Sequence, residues 1–218
     1  MNKVQIDIVS DVACPWCAIG YKRLERAMGE LAGEFAFTIQ WHPFQLNPDM
    51  PPEGEPILEH LMRKYGRSAE EMQAAQQQII DTAHELGLNF RMAAQRRAHN
   101  TFDAHRLLGW ARDRDHQTEL KLALFDAYFG HGQDPGDPAV LRAAAEAAGL
   151  PGDEAEQVIA GDDYADEVRA EEAYYKQAGI TGVPGFIING RYLISGAQEP
   201  ATLVSAFRQI ADEATAPA

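Results

Sequence analysis

Cysteine is scarce in this sequence. Only two of the 218 residues are cysteines, and they lie three positions apart, at Cys14 and Cys17. A structural zinc site needs about four ligands, so one such pair is too few. A disulfide that closes so short a loop would constrain the unfolded chain little, because this stabilisation grows with loop length. The pair is therefore interpreted as a redox-active dithiol, with a structural disulfide and two inert buried cysteines as the alternatives.

Basic residues are also few: 19 lysines and arginines stand against 33 aspartates and glutamates, which gives a net charge of −14. This balance argues against nucleic acids and anionic membranes as partners. No apolar run approaches the ~20 residues that a membrane-spanning helix needs. The first predicted strand begins directly after Met1–Lys3, which leaves no room for a secretory signal. A cytoplasmic location is expected, unless a longer precursor has been processed.

The cysteine pair lies where a strand turns into a helix. Val4–Val9 alternates apolar with polar residues and predicts a strand, and Ala18–Leu31 has helical spacing. Pro15 suits the first turn of a helix, which puts Cys14 at the N-terminus, where free amides and the helix dipole favour a thiolate. Cys17 follows one turn later on the same face. We expect Cys14 to be partly exposed and to attack, and Cys17 to be mostly buried and to resolve.

The other segments are predicted from their periods. Phe35–Trp41 alternates as a second strand, and residues 42–56 form an irregular loop with five prolines. Residues 57–179 have helical spacing throughout, with no predicted strand. Period two then returns, and the chain closes with a hairpin that turns at Asn189-Gly190 and with a final helix.

This order of elements defines an α/β fold in which an all-helical domain is inserted between the second strand and the C-terminal β-hairpin. The α/β part takes in residues 1–50 and 180–218, and the inserted domain residues 51–179. Assembled in this way, the chain resembles the thioredoxin fold as elaborated in the DsbA family, over essentially its whole length. The resemblance rests on Cys14–Cys17 at the first helix, on Val183-Pro184 before the hairpin and on the insertion between them.

More narrowly, four stretches look like the cytosolic FrnE-like branch of that family. They are Ser10–Cys17, Pro43–Gly54, Asn100-Thr101 with Ala104–Leu107, and Ser195–Gln198. Some members of this branch carry an extra cysteine pair near the C-terminus. This chain has no further cysteine, so a relay through a second disulfide is ruled out.

The resemblance implies further site residues. In proteins of this fold the proline matching Pro184 is cis and faces the cysteine pair, which implies a cis bond between Val183 and Pro184. The backbone of Val183 would then be turned outward to pair with an extended substrate. With Pro15 and Trp16 inside the cysteine motif, these residues are the expected substrate-binding positions. A trans proline that starts an ordinary strand is the alternative.

Two residues are candidates for proton transfer, each with a structural alternative. Asp11 ends the first strand, three residues before Cys14. It could accept a proton from Cys17, or it could make a local turn contact. His42 follows the second strand and could carry protons near the site, or it could simply be hydrogen-bonded within the fold.

Three residues are candidates for the substrate groove. Phe44, in the loop after the second strand, is expected to pack beside the Cys14 region. Asn100 and His105 could line the groove from the insertion. The alternatives are a helix-capping asparagine and a surface histidine, both of which are common in proteins.

The sequence thus predicts an enzyme that reduces or isomerises protein disulfides. No metal and no bound organic cofactor is implied. Its partners would be protein or small thiols and disulfides, with glutathione as a candidate co-substrate and glutathione or a thioredoxin system as the reductant. Pro15 and Trp16 bring no cation to the pair. We therefore expect a potential nearer the reducing end of the range from roughly −270 to −120 mV. The oligomeric state stays open.

Two other functions stay open as alternatives. The first is a glutathione-dependent isomerase or transferase of small aromatic acids, similar to the 2-hydroxychromene-2-carboxylate isomerases. Those proteins have a serine where Cys14 stands, and they lack the resolving cysteine, so the presence of both cysteines favours the oxidoreductase. The second is a redox-inactive holdase that binds peptides in an apolar groove of the insertion.

Overall fold

The structure is a computed structural model that describes residues 2–215. Six strands lie within that range, and their bounds are β1 Asn2–Ser10, β2 Phe35–Pro43, β3 Glu55–Pro56, β4 Arg97–Ala98, β5 Gly185–Ile188 and β6 Tyr192–Ser195. The main sheet has the order β2-β1-β5-β6. In it β1 and β2 are parallel, and β5 runs antiparallel to β1 and to β6. The other sheet is the antiparallel pair of β3 and β4.

Nine α-helices lie within residues 2–215, and seven of them, α2 to α8, fall between β2 and β5 in the chain. Their bounds are α1 Pro15–Glu30, α2 Ile57–Tyr65, α3 Ala69–Glu85, α4 Phe102–Arg112, α5 Gln117–Phe125, α6 Pro138–Ala147, α7 Gly152–Ala160, α8 Ala165–Gln177 and α9 Pro200–Thr215. A π-helical turn, Asp126–Gly130, continues α5. The predicted α/β architecture with a helical insertion before the hairpin is confirmed.

Strand β1 lies inside the main sheet, between β2 and β5. Near its end, its apolar residues are covered on both faces of the sheet. Ile6 pairs with Ile39 of β2 and with Ile188 of β5. Ile6 and Ile8 are buried on one face, and Val9 is buried on the other. The chain therefore lies in the protein interior where the strand ends at Ser10, shortly before the cysteine pair.

Two hydrophobic clusters meet at the loop between β1 and α1. The first cluster packs α1 against the sheet and against α9, with Leu24 of α1 and Phe207 of α9 both fully buried. The second lies inside the insertion and joins α4, α5, α6 and α7 through side chains such as Leu120 and Leu141. Val12 belongs to the second cluster although it lies two residues before Cys14. The insertion thus packs directly on the segment that positions the cysteines.

The side chain of Gln117 extends the main sheet at its β2 edge. Its Oε1 accepts a hydrogen bond from the Trp41 backbone N at 2.9 Å, and its Nε2 donates to the Trp41 backbone O at 2.9 Å. The amide of one α5 side chain therefore occupies the place that a neighbouring strand would take. This contact fixes the start of α5 relative to the sheet.

The expectation that residues 57–179 contain no strand is wrong in one detail. Arg97 and Ala98 form β4, which pairs with β3 just before α2. Two residues are too few to show a period of two, so the sequence pattern gives no sign of this strand. The Arg97 guanidinium also holds the pair together, because it donates to the backbone O of Glu53 at 3.1 Å and of Gly54 at 3.0 Å. The domain boundaries at residues 51 and 179 stay a prediction.

None of the helices in residues 2–215 combines the length and the apolar character needed to cross a membrane.

A test of the packing between α1 and the hairpin uses two glycines of the same helix. A Cβ added at Gly20 would lie 3.1 Å from Pro184 Cγ and 3.2 Å from Phe186 Cζ, whereas one added at Gly29 would meet no atom within 4 Å. We expect Gly20→Leu to lower the free energy of unfolding by about 1–3 kcal/mol through overpacking. Gly29→Ala should raise it by about 0.5–1 kcal/mol through helix propensity. Urea denaturation measures both, and an undiminished stability of Gly20→Leu would contradict this packing.

Candidate active site

The backbone places both cysteines in the first turn of α1. Cys14 is the N-cap residue, with φ −91° and ψ 114°, and Pro15 occupies the first helical position. The Cys14 backbone N donates to the Asp11 backbone O at 3.2 Å, and the Cys17 backbone N donates to the Cys14 backbone O at 3.1 Å. Both cysteines are free thiols in this structure. Their spacing by one helical turn brings the two side chains together.

The expectation that Cys14 is partly exposed is wrong, because this residue is only 4% exposed. Cys17 is 1% exposed. The Cys14 thiol donates to the Val183 backbone O at 3.7 Å, so the loop before β5 lies directly against the Cys14 sulfur. Trp16, which is 40% exposed, takes the solvent-facing position instead. A helix N-terminus is open to water only where no other element is packed against it.

Cys14 is nevertheless accessible through a cavity, of about 770 Å³, between α1 and the insertion. The cavity is walled at the helix N-terminus by Cys14, Pro15 and Trp16, and on either side by Phe44 and Val183. Cys17 does not line it. The structure therefore brings Pro15, Trp16, Val183 and Phe44 together around one sulfur and places the second sulfur behind it, whereas the predicted Pro184 does not line the cavity.

The loop before β5 forms the wall opposite α1. Its Val183–Pro184 peptide bond is cis. The Pro184 backbone O accepts from the Gly196 backbone N at 2.8 Å, which ties the loop to the end of β6. Thr181, Gly182 and Val183 all line the cavity. The Val183 carbonyl faces Cys14, so this backbone lies directly beside the sulfur.

The two thiols influence each other's ionisation. The hydrogen bond with Cys17 is the largest cause that raises the pKa of Cys14 well above its ordinary value, and burial and the nearby charge of Asp11 raise it further. Two sulfurs this close share one proton once the first has been lost. The raised pKa therefore belongs to the dithiol as a unit, which loses its second proton only at high pH.

Asp11 ties three segments of the chain together. Its Oδ1 accepts from the Ala13 backbone N at 3.2 Å, its Oδ2 accepts from the Leu46 backbone N at 2.7 Å, and Oδ1 lies 3.4 Å from His105 Nε2. Burial raises the pKa of Asp11, but His105, the Leu46 amide and Lys121 outweigh burial and hold that pKa below its ordinary value. An ionised carboxylate with a lowered pKa is a weak base, so this geometry favours the local turn contact over proton transfer.

His105 is neither a groove residue nor a surface histidine. It is 3% exposed, lies against Asp11 from α4 and does not line the cavity that contains Cys14. The surface alternative fails because α4 packs this face against the loop before Cys14. Asn100 does not line the cavity either. Its Oδ1 accepts from the Phe102 backbone N at 2.8 Å in a turn just before α4, whose N-cap residue is Thr101, so Asn100 is not the helix cap. Its Nδ2 donates to the Pro48 backbone O at 2.7 Å.

His42 lies away from the cysteines, with both ring nitrogens occupied. Its Nδ1 is 2.9 Å from Glu171 Oε2, and its Nε2 is 3.2 Å from Asp7 Oδ1. Its ring also lies 4.8 Å from the Tyr175 ring. His42 therefore connects β2 with α8, which agrees with the alternative that it is simply hydrogen-bonded within the fold. It does not line the cavity.

Lys121 is a site residue that the sequence analysis missed. It is 1% exposed, and its Nζ lies 5.4 Å from the centre of the Trp41 ring and 5.2 Å from that of Phe125. Burial lowers the pKa of Lys121 to about 8, while the charges of Cys17, Asp11 and Cys14 oppose that shift. The sequence offers one signal for the burial of Lys121. It lies four residues before Phe125, and this helical spacing places it on the buried face of α5. Lys121 is therefore a buried cation whose charge interacts with those of both cysteines.

No group of three or more His, Cys, Asp or Glu residues in the described part of the chain is arranged to hold a metal ion.

The fold and the cysteine pair define a protein of the thioredoxin-fold class with a dithiol at its first helix. The sequence model of the family described as DSBA-like thioredoxin domain matches residues 5–208 of this chain. The chain therefore belongs to the family of DsbA-like thioredoxin domains, as the sequence resemblance indicated. Membership of the FrnE-like branch is compatible with this result and stays a prediction.

Four known proteins are informative relatives of this chain. The probable DsbA oxidoreductase SCO1869 from Streptomyces coelicolor has a TM-score of 0.89 and 34% identity, over 99% of this chain and 92% of that chain. The uncharacterized protein YwbO of Bacillus subtilis (strain 168) is 29% identical over 195 residues, which are 89% of this chain and 90% of YwbO.

The other two relatives share the fold alone. The cytosolic disulfide reductase DsbM from Pseudomonas aeruginosa, solved with GSH, has a TM-score of 0.64 and 16% identity, over 94% of this chain and 99% of that one. A 2-hydroxychromene-2-carboxylate isomerase has a TM-score of 0.66 and 15% identity, over 96% and 97%. Fold similarity therefore does not separate a disulfide reductase from an isomerase.

The role of Lys121 can be tested on the reduced protein. Lys121→Met removes a cation that interacts with both cysteines, so the pKa of the first thiolate should rise by about one unit. Ultraviolet thiolate absorbance against pH measures it. Lys22→Met, which removes a partly exposed lysine of α1, should leave that pKa unchanged. An unchanged pKa in Lys121→Met would show that the lysine does not act on the dithiol.

The order of access to the two thiols can be tested by alkylation. Because Cys14 lines the cavity and Cys17 does not, iodoacetamide should modify Cys14 first in the reduced protein at neutral pH. A bulky maleimide should react more slowly, because Cys14 is reached only through the cavity. Peptide mapping by mass spectrometry locates the label, and the unfolded protein, in which both thiols are open, provides the reference. Equal labelling of the two cysteines in the folded protein would refute this order.

Proposed function

We propose that this protein is a thiol–disulfide oxidoreductase in which Cys14 attacks and Cys17 resolves. One observation carries the proposal: of two free thiols one helical turn apart, Cys14 alone lines the cavity and Cys17 lies behind it. That arrangement gives a substrate access to one sulfur and reserves the other for the second step. A structural disulfide or an inert pair would need no cavity at one of its two sulfurs.

The reaction balances with the two cysteines alone. The Cys14 thiolate attacks one sulfur of a substrate disulfide, forms a mixed disulfide and releases the first substrate thiolate, which takes up a proton. Cys17 then loses its proton and attacks the Cys14 sulfur. The second substrate thiol leaves, and a Cys14–Cys17 disulfide remains. Two electrons have passed from the protein to the substrate, and an external thiol must return them.

The surroundings of the dithiol assign roles to its neighbours. Val183, Pro15 and Trp16 line the cavity, and the cis bond to Pro184 fixes the backbone of Val183, so we assign these four residues to substrate positioning. Lys121 stabilises negative charge on the pair, in addition to the amides of the helix terminus. The sequence argument counted no such cation, so Lys121 raises the expected potential above the reducing end of its range. The pair still reduces a substrate disulfide as long as an external thiol returns the electrons.

The relatives support the proposal at the level of class. SCO1869 is described as a probable DsbA oxidoreductase, and DsbM as a cytosolic disulfide reductase that was solved with GSH. By that analogy we propose reduction of disulfides as the main direction and glutathione as the thiol that returns electrons. The cytoplasmic location stays a prediction. The isomerase alternative shares the fold to a similar degree, and Cys17 is the residue that distinguishes the two functions.

The experiment is reduction of insulin disulfides in the presence of a dithiol reductant. The wild-type protein should accelerate precipitation of the insulin B chain, and Cys14→Ala should abolish this because no sulfur remains to attack. Cys17→Ala should form the mixed disulfide and fail to release it, so it traps substrates covalently on Cys14.

Other results would assign another function. Tight binding of glutathione with turnover of an aromatic acid, and no acceleration of insulin reduction, would establish the isomerase. Unchanged client binding in a Cys14→Ser variant, again without acceleration of reduction, would establish the redox-inactive holdase.

A further inference from the structure

The cavity beside Cys14 is positively charged although the protein is strongly acidic. The chain has 33 acidic and 19 basic residues. Among the described residues that line the cavity, however, three are cations and none is an aspartate or a glutamate: Lys64, Arg67 and Arg96. Lys64 and Arg67 are exposed at the rim, and Arg96 is buried. A cavity whose charge is opposite in sign to that of the whole protein favours an anionic occupant over a neutral or cationic one.

Arg96 is the deepest of these cations and has no counter-ion. It is 6% exposed, and no carboxylate of residues 2–215 forms an ion pair with it. Its Nη1 donates to the Ala93 backbone O, and its guanidinium lies 5.6 Å from the centre of the Tyr128 ring and 5.2 Å from that of Phe129. Its Nε is buried without a hydrogen-bond partner.

A buried guanidinium without a carboxylate is costly, because burial removes hydration that only a paired anion restores in full. The aromatic rings recover part of that cost. The rings do not use the paired N–H groups of the guanidinium, whose geometry suits a carboxylate. The unpaired Arg96 is therefore explained if a ligand supplies the anion.

A second unpartnered polar atom lies in the same wall. Gln76 of α3 is 7% exposed and lines the cavity, and its Oε1 is buried with no hydrogen bond. The rest of that wall is apolar, as Met72, Ile80 and Phe90 show. A ligand that fits this surface has an apolar body, one anionic group and room for one hydrogen-bond donor.

The size of the cavity and the burial of Cys14 indicate a small ligand. Its volume of about 770 Å³ lies within the range of roughly 300–1,000 Å³ that small-molecule sites occupy. A disulfide on the surface of a folded protein would have to reach a sulfur that is only 4% exposed. A small disulfide can enter through the opening beside Trp16.

We propose that the substrate class of this site is a small disulfide with an apolar body and a carboxylate, which pairs with Arg96 while one of its sulfurs meets Cys14. This inference rests on the proposed exchange chemistry at Cys14 and names what that chemistry acts on. The reaction is the same two-step exchange: the protein dithiol becomes the Cys14–Cys17 disulfide, and the ligand disulfide becomes two molecules of thiol.

The experiment compares two disulfides that differ only in charge: the disulfide of para-mercaptobenzoate and that of para-mercaptobenzamide. Pre-reduced protein, freed of reductant, is mixed with each, and the rate constant for thiol release is measured in a single turnover. Each rate constant is divided by that of dithiothreitol with the same disulfide, which corrects for intrinsic reactivity. We expect the carboxylate to react at least about tenfold faster than the carboxamide, as a charged hydrogen-bonded pair allows.

Variants assign that preference to one residue. Arg96→Met replaces the buried cation by an apolar side chain of similar length, and the carboxylate preference should fall to near one. Arg96→Lys keeps the charge without the fork, and its preference should lie between the two. Arg208→Met removes the same charge from an exposed pair with Glu34, far from the cavity lining, and should keep the full preference. Thermal unfolding shows which variants are folded, and Arg96→Lys carries the test if Arg96→Met is not.

The outcomes separate this inference from the proposed function. Equal rates for the two disulfides in the wild type would overturn the inference and leave the exchange chemistry standing. An undiminished preference in the folded Arg96 variants would overturn the assignment to Arg96. Failure of both disulfides to oxidise the protein would overturn the proposed function itself, together with the inference that depends on it.

Discussion

The buried carboxylate of Asp11 is the contact on which the geometry of the site depends. It receives backbone N–H groups from Ala13 and from Leu46, and it lies against His105 of α4. These three partners belong to the cysteine loop, to the segment after β2 and to the insertion. One ionised side chain thus holds together the parts that surround Cys14. Burying this charge is tolerable because every partner compensates part of its lost hydration.

The local features of the fold could be predicted from the sequence, because short-range patterns encode them. The strand before Cys14, the helix after it and the hairpin at Asn189-Gly190 all follow from period and turn chemistry. The burial of Cys14 could not be predicted in this way, since it depends on contacts with Val183 and other residues far away in the sequence. Lys121 and Arg96 were missed for the same reason: a basic residue gives no sign in the sequence of being enclosed by packing between distant segments.

The insertion changes the chemistry of the dithiol as much as its accessibility. A helix N-terminus alone offers amides and a partial positive charge. Here α5 adds the buried ammonium of Lys121, which interacts with the charges of both cysteines, and the segment before α4 adds the guanidinium of Arg96 to the cavity wall. In the proposed reaction α1 therefore supplies the reacting sulfurs, and the insertion supplies the charges that stabilise the thiolate and attract its substrate. Variation in the insertion can alter specificity without any change in the sheet.

The pairing of β1 with β5 also constrains how the chain is made. Ile6 and Ile188 are neighbours in the sheet although they stand near opposite ends of the sequence. During synthesis β1 emerges first, and one of its edges has no partner until nearly the whole chain has left the ribosome. Such non-local pairing slows folding and leaves an apolar strand open to other chains in the interval. The inserted helices, whose contacts are more local, can form meanwhile, and their early packing on β2 would shield part of the unfinished sheet.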